Sequence, residues 1–311
     1  MTATILAIPK QTVLMKSLSR RAVLQWSTAA ALMAINAPAL AEEIAGETAW
    51  KRILRTKTIR VGTVGTTKSS RVGLDGSFTG ISPEILRQVM APYGVTKLVP
   101  VHMDFQSLIP ALTANRIDVV ANTLSVRKAR CAQVAFSNPE FNAREGFVVL
   151  KGNPKNLHSF ADIAKSKDAR LGYVDGGFQG VFAKVAGVPQ DRILTFPDQI
   201  LGIRAVADGR IDAFGSIRFL LVGFLETVND PRLAVADPYS PPINEKGQPD
   251  LNLTAAAFRK EDNDFREAYN KGLADLIASG KLLQIIKEQT GGNQDDMPPP
   301  GITAEKACEK E

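Results

Sequence analysis

The chain has 311 residues, of which 44% are hydrophobic and 23% are charged. This composition is typical of a globular protein, and the length allows about two domains of roughly 100–200 residues each. The formal net charge is +6, but residues 1–41 contain four cations and no acid, so the remainder carries +6 − 4 = +2. With two cysteines and two histidines, the usual zinc spacings are absent. We therefore expect no metal, no cofactor and no nucleic-acid partner.

Residues 1–41 predict an export signal. The segment "SLSRRAVLQWSTAAALMAINAPALA" has a basic start, an apolar centre and an end of small residues, which is the layout of a cleavable secretory signal. The pair Arg20-Arg21 resembles a twin-arginine signal, although Val23 stands where Phe is usual, so ordinary Sec export stays open. We expect cleavage after Ala41.

Cleavage there would leave an exported protein that begins at Glu42. An uncleaved membrane anchor is the alternative, but the apolar centre is short for a membrane span. The start codon is also open between Met1 and Met15, because Lys16 follows the second methionine as the basic start of a signal.

From residue 55 onward, strand patterns alternate with helix patterns. A strand is predicted over Ile59–Val64, a helix in "ISPEILRQVMAPYGV", a strand in "KLVPVHMD", a helix in "FQSLIPALTANRID" and a strand in "DVVANTL". The last of these strands is continuously apolar, as buried parallel strands are. This order predicts an α/β fold with parallel strands and right-handed crossovers.

The second half of the chain repeats the pattern of the first. The segment "ALTANRIDVVANT" is echoed by "AVADGRIDAFGSI", with Ile-Asp before an apolar strand in both. The repeat predicts two similar lobes, each a mostly parallel sheet flanked by helices, with two crossings of the chain between them. We place the first lobe at 55–144 and 250–292, and the second at 145–249.

The C-terminal part predicts one long helix, "DFREAYNKGLADLIASGKLLQIIKEQ", whose apolar residues share one face. The tail 293–311 has no apolar periodicity, and we expect it to be disordered. Cys308 lies in this loose tail, whereas Cys131 directly follows Arg130 in the first lobe. We therefore expect the two cysteines to be unpaired, even in an oxidising compartment.

Residues 55–290 resemble the periplasmic solute-binding proteins of polar amino-acid ABC importers. The resemblance rests on "FQSLIPALTANRIDVVANTLSVRKARCAQVAFSNP", "GRIDAF" and "AAAFRKEDNDFREAYNKGLADLIASGKLLQIIKE". The segments "RCAQVAFSNP", "KGNP", "DIAKSKDARLG" and "GVPQDRI" are similar to the ectoine and hydroxyectoine branch. The resemblance to this family implies a type II two-lobed binding-protein fold and a monomer. It also implies a small carboxylate-bearing solute and a membrane permease as partner.

In that family an Arg six residues before the Phe of "AFS" binds the carboxylate of the ligand, and here it is Arg130, with Phe136 six residues on. Arg suits this role because its planar fork meets a carboxylate with two parallel hydrogen bonds. By the same resemblance Ser125 and Thr123 are ligand contacts, whereas Arg127 fits no family position. The alternative is that these cations form a solvated helix start.

Four more ligand contacts are implied by the resemblance. Gly177, Phe178 and Gln179 stand in "VDGGFQG" before a helix, where glycine-rich turns bring backbone N–H groups near an anion. An ordinary strand-to-helix turn, which needs glycine anyway, is the alternative. Phe105 opens the second helix, where relatives often place an aromatic ring against the ligand. It could equally be a core residue.

The sequence departs from the family at the position of the ammonium-binding Asp. That residue lies five positions beyond the Asp of "GRIDA", but here Asp212 leads to Ile217. A free α-amino acid therefore loses a main anchor. Lys68, Arg71 and Arg218 leave an acidic ligand open, unless they are simply solvated.

The leading hypothesis is a binding module for import that is not an enzyme. The alternative is a periplasmic enzyme on the same scaffold, such as a cyclohexadienyl dehydratase. An enzyme of this kind needs a cleft acid with a raised pKa. The candidate carboxylates Asp75, Asp175 and Glu226 lie in turns or in exposed-looking contexts.

Overall fold

The structure is a computed structural model that describes residues 46–65, 68–244 and 247–309. The predicted export signal and its cleavage site lie outside the described residues. The chain from Gly46 onward forms one compact unit. No helix of the described residues combines the length and the apolar character that a membrane crossing requires.

Helices and strands alternate along the chain, as the apolar pattern predicts. The α-helices are α1 (Ala49–Thr56), α2 (Ile81–Met90), α3 (Leu108–Thr113), α4 (Lys128–Cys131), α5 (Phe160–Lys165), α6 (Gln179–Val185), α7 (Gln199–Ala207), α8 (Arg218–Val228), α9 (Asn263–Ala278), α10 (Lys281–Thr290) and α11 (Ala304–Cys308). Short 3-10 turns lie at Ala91–Tyr93, Phe105–Ser107, Gln190–Arg192 and Gln294–Asp296. The strands are β1 (Thr58–Thr63), β2 (Arg71–Val72), β3 (Phe78–Thr79), β4 (Lys97–His102), β5 (Val119–Ser125), β6 (Ala135–Phe136), β7 (Phe141–Asn142), β8 (Glu145–Leu150), β9 (Leu171–Val174), β10 (Ile193–Phe196), β11 (Ala213–Ile217), β12 (Leu233–Val235) and β13 (Leu253–Phe258).

Two large sheets define two lobes. In the described residues the first lobe has the strand order β4-β1-β5-β13-β6, with β7 also paired to β13. The second lobe has the order β10-β9-β11-β8-β12. In each lobe three strands run parallel, β4-β1-β5 and β10-β9-β11, and an antiparallel strand, β13 or β8, follows. The chain leaves the first sheet after β7 and returns to it at β13.

The Asp of the repeated Ile-Asp motif accepts the same kind of backbone hydrogen bond in both lobes. Asp118 precedes β5 and accepts a hydrogen bond from the backbone N–H of Arg60 in β1, at 2.7 Å. Asp212 precedes β11 and accepts one from the backbone N–H of Arg170, just before β9, at 2.8 Å. In each case the carboxylate ties the beginnings of two neighbouring parallel strands together. The sequence echo is therefore an echo in structure.

An irregularity interrupts the pairing of β5 with β13 near the carboxyl end of β5. Leu124 pairs with Ala255 and Val120 pairs with Ala257, so three residues of β5 lie opposite one residue of β13. Such bulges bend a strand and redirect its side chains. Within this bulge Thr123 has a φ of 48°, which is unusual for a β-branched residue. Its N–H donates to the Ser82 hydroxyl at 3.0 Å.

The single C-terminal helix that the sequence predicts is two helices. Helix α9 ends at Ala278 and α10 begins at Lys281, with Gly280 between them at a φ of 73°. Glycine adopts this left-handed conformation without a steric penalty, and it is a common end for a helix. The apolar pattern runs through the break because both helices pack on the same core.

The tail also differs from the expectation of disorder. Thr303 caps α11 by accepting from the N–H of Lys306, and Ala304 and Ala307 are buried against the first lobe. A helix of five residues is too short to produce a recognisable apolar period, so the sequence pattern missed it.

The prediction that the cysteines are unpaired is wrong. Cys131 at the end of α4 and Cys308 at the end of α11 form a disulfide across 177 residues of sequence. The fold of the tail brings them together, and sequence separation alone says nothing about that distance in space.

Candidate functional site

A narrow cleft separates the two lobes and receives side chains from both. The first lobe contributes Val64, Ser69, Phe105, Asn122, Thr123, Ser125 and Arg130. The second contributes Val174, Gly177, Phe178, Gln179, Gln199, Ser216, Ile217 and Leu220. The space between them is about 50 Å³. One water needs roughly 10–15 Å³ by the same measure, so this space holds only a few waters. Many of these residues lie at or after the carboxyl ends of strands, where open α/β sheets bind ligands.

All the ligand contacts that the sequence predicts lie in this cleft. They come from the end of β5, from α4, from the turn before α3 and from the turn between β9 and α6: Thr123, Ser125, Arg130, Phe105, Gly177, Phe178 and Gln179. A glycine is needed at position 177 for a steric reason, because a Cβ there would lie 2.6 Å from the carbonyl oxygen of Val174. The structure brings the seven residues together, and their contact with a solute stays a prediction.

Arg130 spans the cleft. Its Nη1 donates to the carbonyl oxygen of Ser125 at 2.9 Å, and its Nη2 donates to the carbonyl oxygen of Gly176 in the second lobe at 3.1 Å. The guanidinium carbon lies 5.4 Å from the ring centroid of Phe105. The side chain is half-buried. A cation thus stands in the cleft and contacts both lobes.

Arg127 does not belong to a solvated helix start. It is buried, its Nη1 lies 3.1 Å from a carboxylate oxygen of Asp250, and its guanidinium carbon lies 3.4 Å from the ring centroid of Phe178. Asp250 lies on the second crossing of the chain between lobes. Arg127 therefore supports the cleft from behind Phe178 and does not line it.

A buried carboxyl group lies behind Gln179. The Gln179 side-chain amide donates to Glu145 at 2.9 Å, and the Asn252 amide donates to its other oxygen at 2.7 Å. Burial raises the pKa of Glu145 to about 7, although the Gln179 hydrogen bond and the nearby Arg127 charge oppose that rise. Glu145 opens β8 at the first crossing, and Asn252 lies at the second. This arrangement orients Gln179 and joins both crossings.

This geometry agrees with comparisons to known proteins. A model of the bacterial extracellular solute-binding proteins, family 3, matches residues 59–291, which is most of the chain. The chain belongs to this family.

Relatives of family 3 have consistent descriptions. A probable amino-acid ABC transporter periplasmic-binding protein of Sinorhizobium fredii is 28% identical over 249 residues, which cover 79% of this chain and 81% of the relative. The crystal structure of EhuB in complex with hydroxyectoine shares 31% identity at a TM-score of 0.68, and the match covers 83% of this chain and 93% of EhuB. These matches confirm the predicted fold and the predicted role as a solute-binding protein of an amino-acid ABC importer family.

A third similarity concerns the fold alone. The ancestral amino acid-binding protein AncCDT-1, described as a precursor of cyclohexadienyl dehydratase, is 22% identical. Its TM-score is 0.66, and the match covers 78% of this chain and all of AncCDT-1. The relatives in family 3 are described as binding proteins. The same fold also occurs in a protein described as the precursor of an enzyme.

The sequence did not single out several polar residues of this family 3 cleft. They are Ser69, Asn122, Gln199 and Ser216. Asn122 is held by its neighbours, because its Oδ1 accepts from the hydroxyl of Ser70 at 2.5 Å and from the N–H of Val64 at 3.3 Å. No short motif marks these residues. The rule that ligands bind at the carboxyl ends of strands would have found Asn122 and Ser216.

The three further cations that the sequence left open do not line the cleft as the structure describes it. Lys68 contacts Glu226 of the second lobe at 3.2 Å. Arg218 donates to the carbonyl oxygen of Ala236 and lies 3.3 Å from Asp237. Arg71 is exposed on β2. No group of His, Cys, Asp or Glu side chains within the described residues is arranged to hold a metal ion.

Proposed function

We propose that the protein captures a small carboxylate-bearing solute, amino-acid-like or ectoine-like, between its lobes and presents it to the permease of an ABC importer. The observation that carries the proposal is the Arg130 guanidinium, which stands in the cleft while the other described lining residues are uncharged. A guanidinium binds a carboxylate through a charge-assisted, two-point contact. Because residues of both lobes would touch the solute, binding would favour closure of the lobes.

In this proposal the contacts divide between the lobes. Arg130, Ser125 and Thr123 hold the carboxylate end from the first lobe, and Phe105 covers one side. The turn at 177–179 covers the solute from the second lobe. Two bodies would move against each other. One consists of residues 55–144 and 250–292, the other of residues 145–249, and the two crossings of the chain join them.

The proposal includes export to the periplasm and action as a monomer. Membership of an extracellular solute-binding family supports export. We expect the signal to be removed after Ala41, so N-terminal sequencing of the exported protein should begin at Glu42. A mature N-terminus within 1–35 would contradict this site, and a stable dimer in light scattering would contradict the monomer.

We favour binding over catalysis because the part of the cleft that the structure describes offers no acid for proton transfer. No carboxylate is among the described residues that line it. Glu145 has a pKa of about 7, as a general acid requires, but its two oxygens accept from Gln179 and Asn252 behind the cleft. Incubation with prephenate or arogenate should therefore give no aromatic product. Formation of such a product would favour the dehydratase alternative.

The test of the binding function starts from a thermal-shift screen of amino acids, ectoine, betaines, hydroxy acids and dicarboxylates. A solute at 100 times its dissociation constant should stabilise the protein by about 2.7 kcal/mol. Calorimetry on Arg130→Ala should then show an affinity at least about tenfold lower, because a charged hydrogen bond contributes roughly 1.5–3 kcal/mol.

Two further variants sharpen this test. Arg130→Lys should recover only part of the affinity, since a point charge does not reproduce the fork. Lys128→Ala is the matched control, because Lys128 lies two residues away on the same helix, is exposed and does not line the cleft. Unchanged affinity in a folded Arg130→Ala protein would end the proposal for this residue.

A further inference from the structure

We infer that the solute is a carboxylic acid whose body carries no positive charge, such as a 2-hydroxy acid, a 2-oxo acid or a lactam carboxylate, and not a free α-amino acid. This inference rests on the proposed function, because it takes the Arg130 site as the place of the carboxylate. It narrows the class of solute by the charges and surfaces that would surround the rest of the molecule.

The charge inventory of the cleft is the first argument. Among the described residues that line it, Arg130 is the one ionised side chain, and the others are apolar, hydroxyl, amide or glycine. A carboxylate placed at Arg130 would form a charge-assisted contact with its guanidinium. An ammonium on the same solute would be a second charge taken from water into the closed cleft, and no carboxylate among the described lining residues would receive it. Burying an unpaired charge is costly.

Three carboxylates that adjoin lining residues in sequence or by a hydrogen bond have other partners. Asp198 caps α7 by accepting from the N–H of Leu201 at 2.8 Å. Asp175 is exposed and accepts from the N–H of Gly176 at 3.0 Å. Glu145 lies behind Gln179 and accepts from two amides. None of these three contributes to the cleft surface.

The aromatic rings also disfavour a cationic solute. A ring can hold a cation on its face in place of a carboxylate. Here the guanidinium of Arg127 already lies 3.4 Å from the Phe178 ring centroid, and that of Arg130 lies 5.4 Å from the Phe105 ring centroid. A cation of the solute on either ring would share it with an arginine. Both rings suit an uncharged body better.

The second lobe presents an apolar wall where an ammonium would need an anion. Ile217 ends β11, and it lines the cleft with Leu220 and Val174. Polar contacts on this side come from neutral groups, the amides of Gln179 and Gln199 and the hydroxyl of Ser216. These groups can pair with a hydroxyl or carbonyl of the solute. They cannot replace a carboxylate as partner of a buried ammonium.

The experiment compares molecules that share a carbon skeleton and differ in the ammonium. Wild-type protein is titrated with valine against 2-hydroxyisovalerate and 2-oxoisovalerate, with alanine against lactate, and with proline against 5-oxoproline. Ectoine, which has a delocalised ring cation, is a separate arm. We expect the tightest ligand of the whole panel to be an ammonium-free acid that binds at least about tenfold more tightly than its amino counterpart.

A gain-of-function variant tests whether an ammonium would lie beside position 217. Ile217→Asp should move the preference toward the amino member by at least about tenfold, while the isosteric neutral control Ile217→Asn should not. Arg130→Ala should weaken every member of a set alike. If the Ile217→Asp protein does not fold, the wild-type comparison alone decides the inference.

The outcomes separate the inference from the function on which it rests. Amino acids or ectoine that bind as tightly as the ammonium-free acids, or more tightly, would overturn the inference and leave the proposed function standing. If no carboxylate of either kind binds at millimolar concentration, the proposed function itself is overturned.

Discussion

The two lobes share a motif but contribute different surfaces to the cleft. In both, an Asp before a central strand ties that strand to its parallel neighbour. At the opposite ends of the strands the likeness stops. The first lobe offers Arg130 with hydroxyl groups, and the second offers Ile217 and other apolar residues. The repeated part of the pattern thus builds the sheets, and the part that differs determines what the cleft can bind.

The two tying carboxylates also differ in their surroundings. Asp118 has a side chain with no exposed surface and lies 2.5 Å from Arg52 and 2.7 Å from Arg60. Although burial opposes it, these cations hold the pKa of Asp118 below its ordinary value. The side chain of Asp212 is 20% exposed and lies 3.1 Å from Lys155. The first lobe therefore depends more strongly on its copy of the motif.

The largest expected difference between the lobes comes from the disulfide. Both cysteines of the chain belong to the first lobe and join α4 to α11 across 177 residues. Closing a loop of that length stabilises the folded state by about 5 kcal/mol in the chain-entropy model, and measured losses are commonly about 2–5 kcal/mol. The double change Cys131→Ser with Cys308→Ser should lower the free energy of unfolding by that amount in urea titrations.

The same double variant should leave the second lobe folded as before, because both cysteines pack against the core of the first lobe. Hydrogen exchange should therefore speed up in α4 and α11 and remain unchanged in β9 and β11. Equal protection losses in both lobes would show that the bridge stabilises the whole molecule instead.

The next largest difference is expected at the two aspartates. Asp118→Asn removes the counter-charge of two partly buried arginines and should cost about 3 kcal/mol, at the lower end for breaking a buried pair. Asp212→Asn should cost no more than about 1 kcal/mol, because its pair with Lys155 is partly open to solvent and the Asn side chain keeps an oxygen for the N–H of Arg170. Chemical denaturation of the two variants side by side measures the contrast. Equal costs would mean that the motif carries the same energy in both lobes.

The third expected effect concerns two carboxyl groups, one on either side of the first crossing, that share the same shift of pKa. Glu140 in the first lobe and Glu145 in the second both have a pKa raised by burial to about 7. Because the folded pKa is above the ordinary value of 4.5, the folded state binds the proton more tightly. Their contribution to stability is fully present below pH 4.5 and is lost as the pH rises to about 7.

Glu145→Gln should remove part of this pH dependence. We expect the free energy of unfolding of the wild type to fall between pH 5 and about 7.5, and the fall to be smaller in the variant by roughly 1–3 kcal/mol. Glu140→Gln is the matched comparison, since its partner is the hydroxyl of Tyr269 and not the cleft. A Glu145→Gln protein with the same pH profile as the wild type would show that Glu145 stays ionised.

The fold could be predicted because apolar runs, helical periods and the Ile-Asp echo are all local in sequence. The seven predicted cleft residues came from one family resemblance, and the structure places them together. The contacts that hold these residues in place could not be predicted from the sequence. Arg127 pairs with Asp250, 123 residues away, and no local pattern reports a contact of that separation. The disulfide was missed for the same reason.

The smallest expected effect belongs to a contact that joins the lobes at their surfaces. Lys68 of the first lobe lies 3.2 Å from Glu226 of the second, and its side-chain carbons lie against Gly223. The side chain of Glu226 is 65% exposed, and an exposed pair contributes about 0–1 kcal/mol. Glu226→Gln should therefore leave the free energy of unfolding almost unchanged.

The effect on solute affinity distinguishes a contact that assists closure from one that does not. If the pair forms on closure, Glu226→Gln should weaken binding by no more than about fivefold at low salt. The difference from wild type should vanish near about 0.5 M salt, where exposed charges are screened. Lys68→Met keeps the carbons against Gly223 and should give the same small loss. A loss above tenfold that persists at high salt would mean that Glu226 acts on the cleft through something other than this pair.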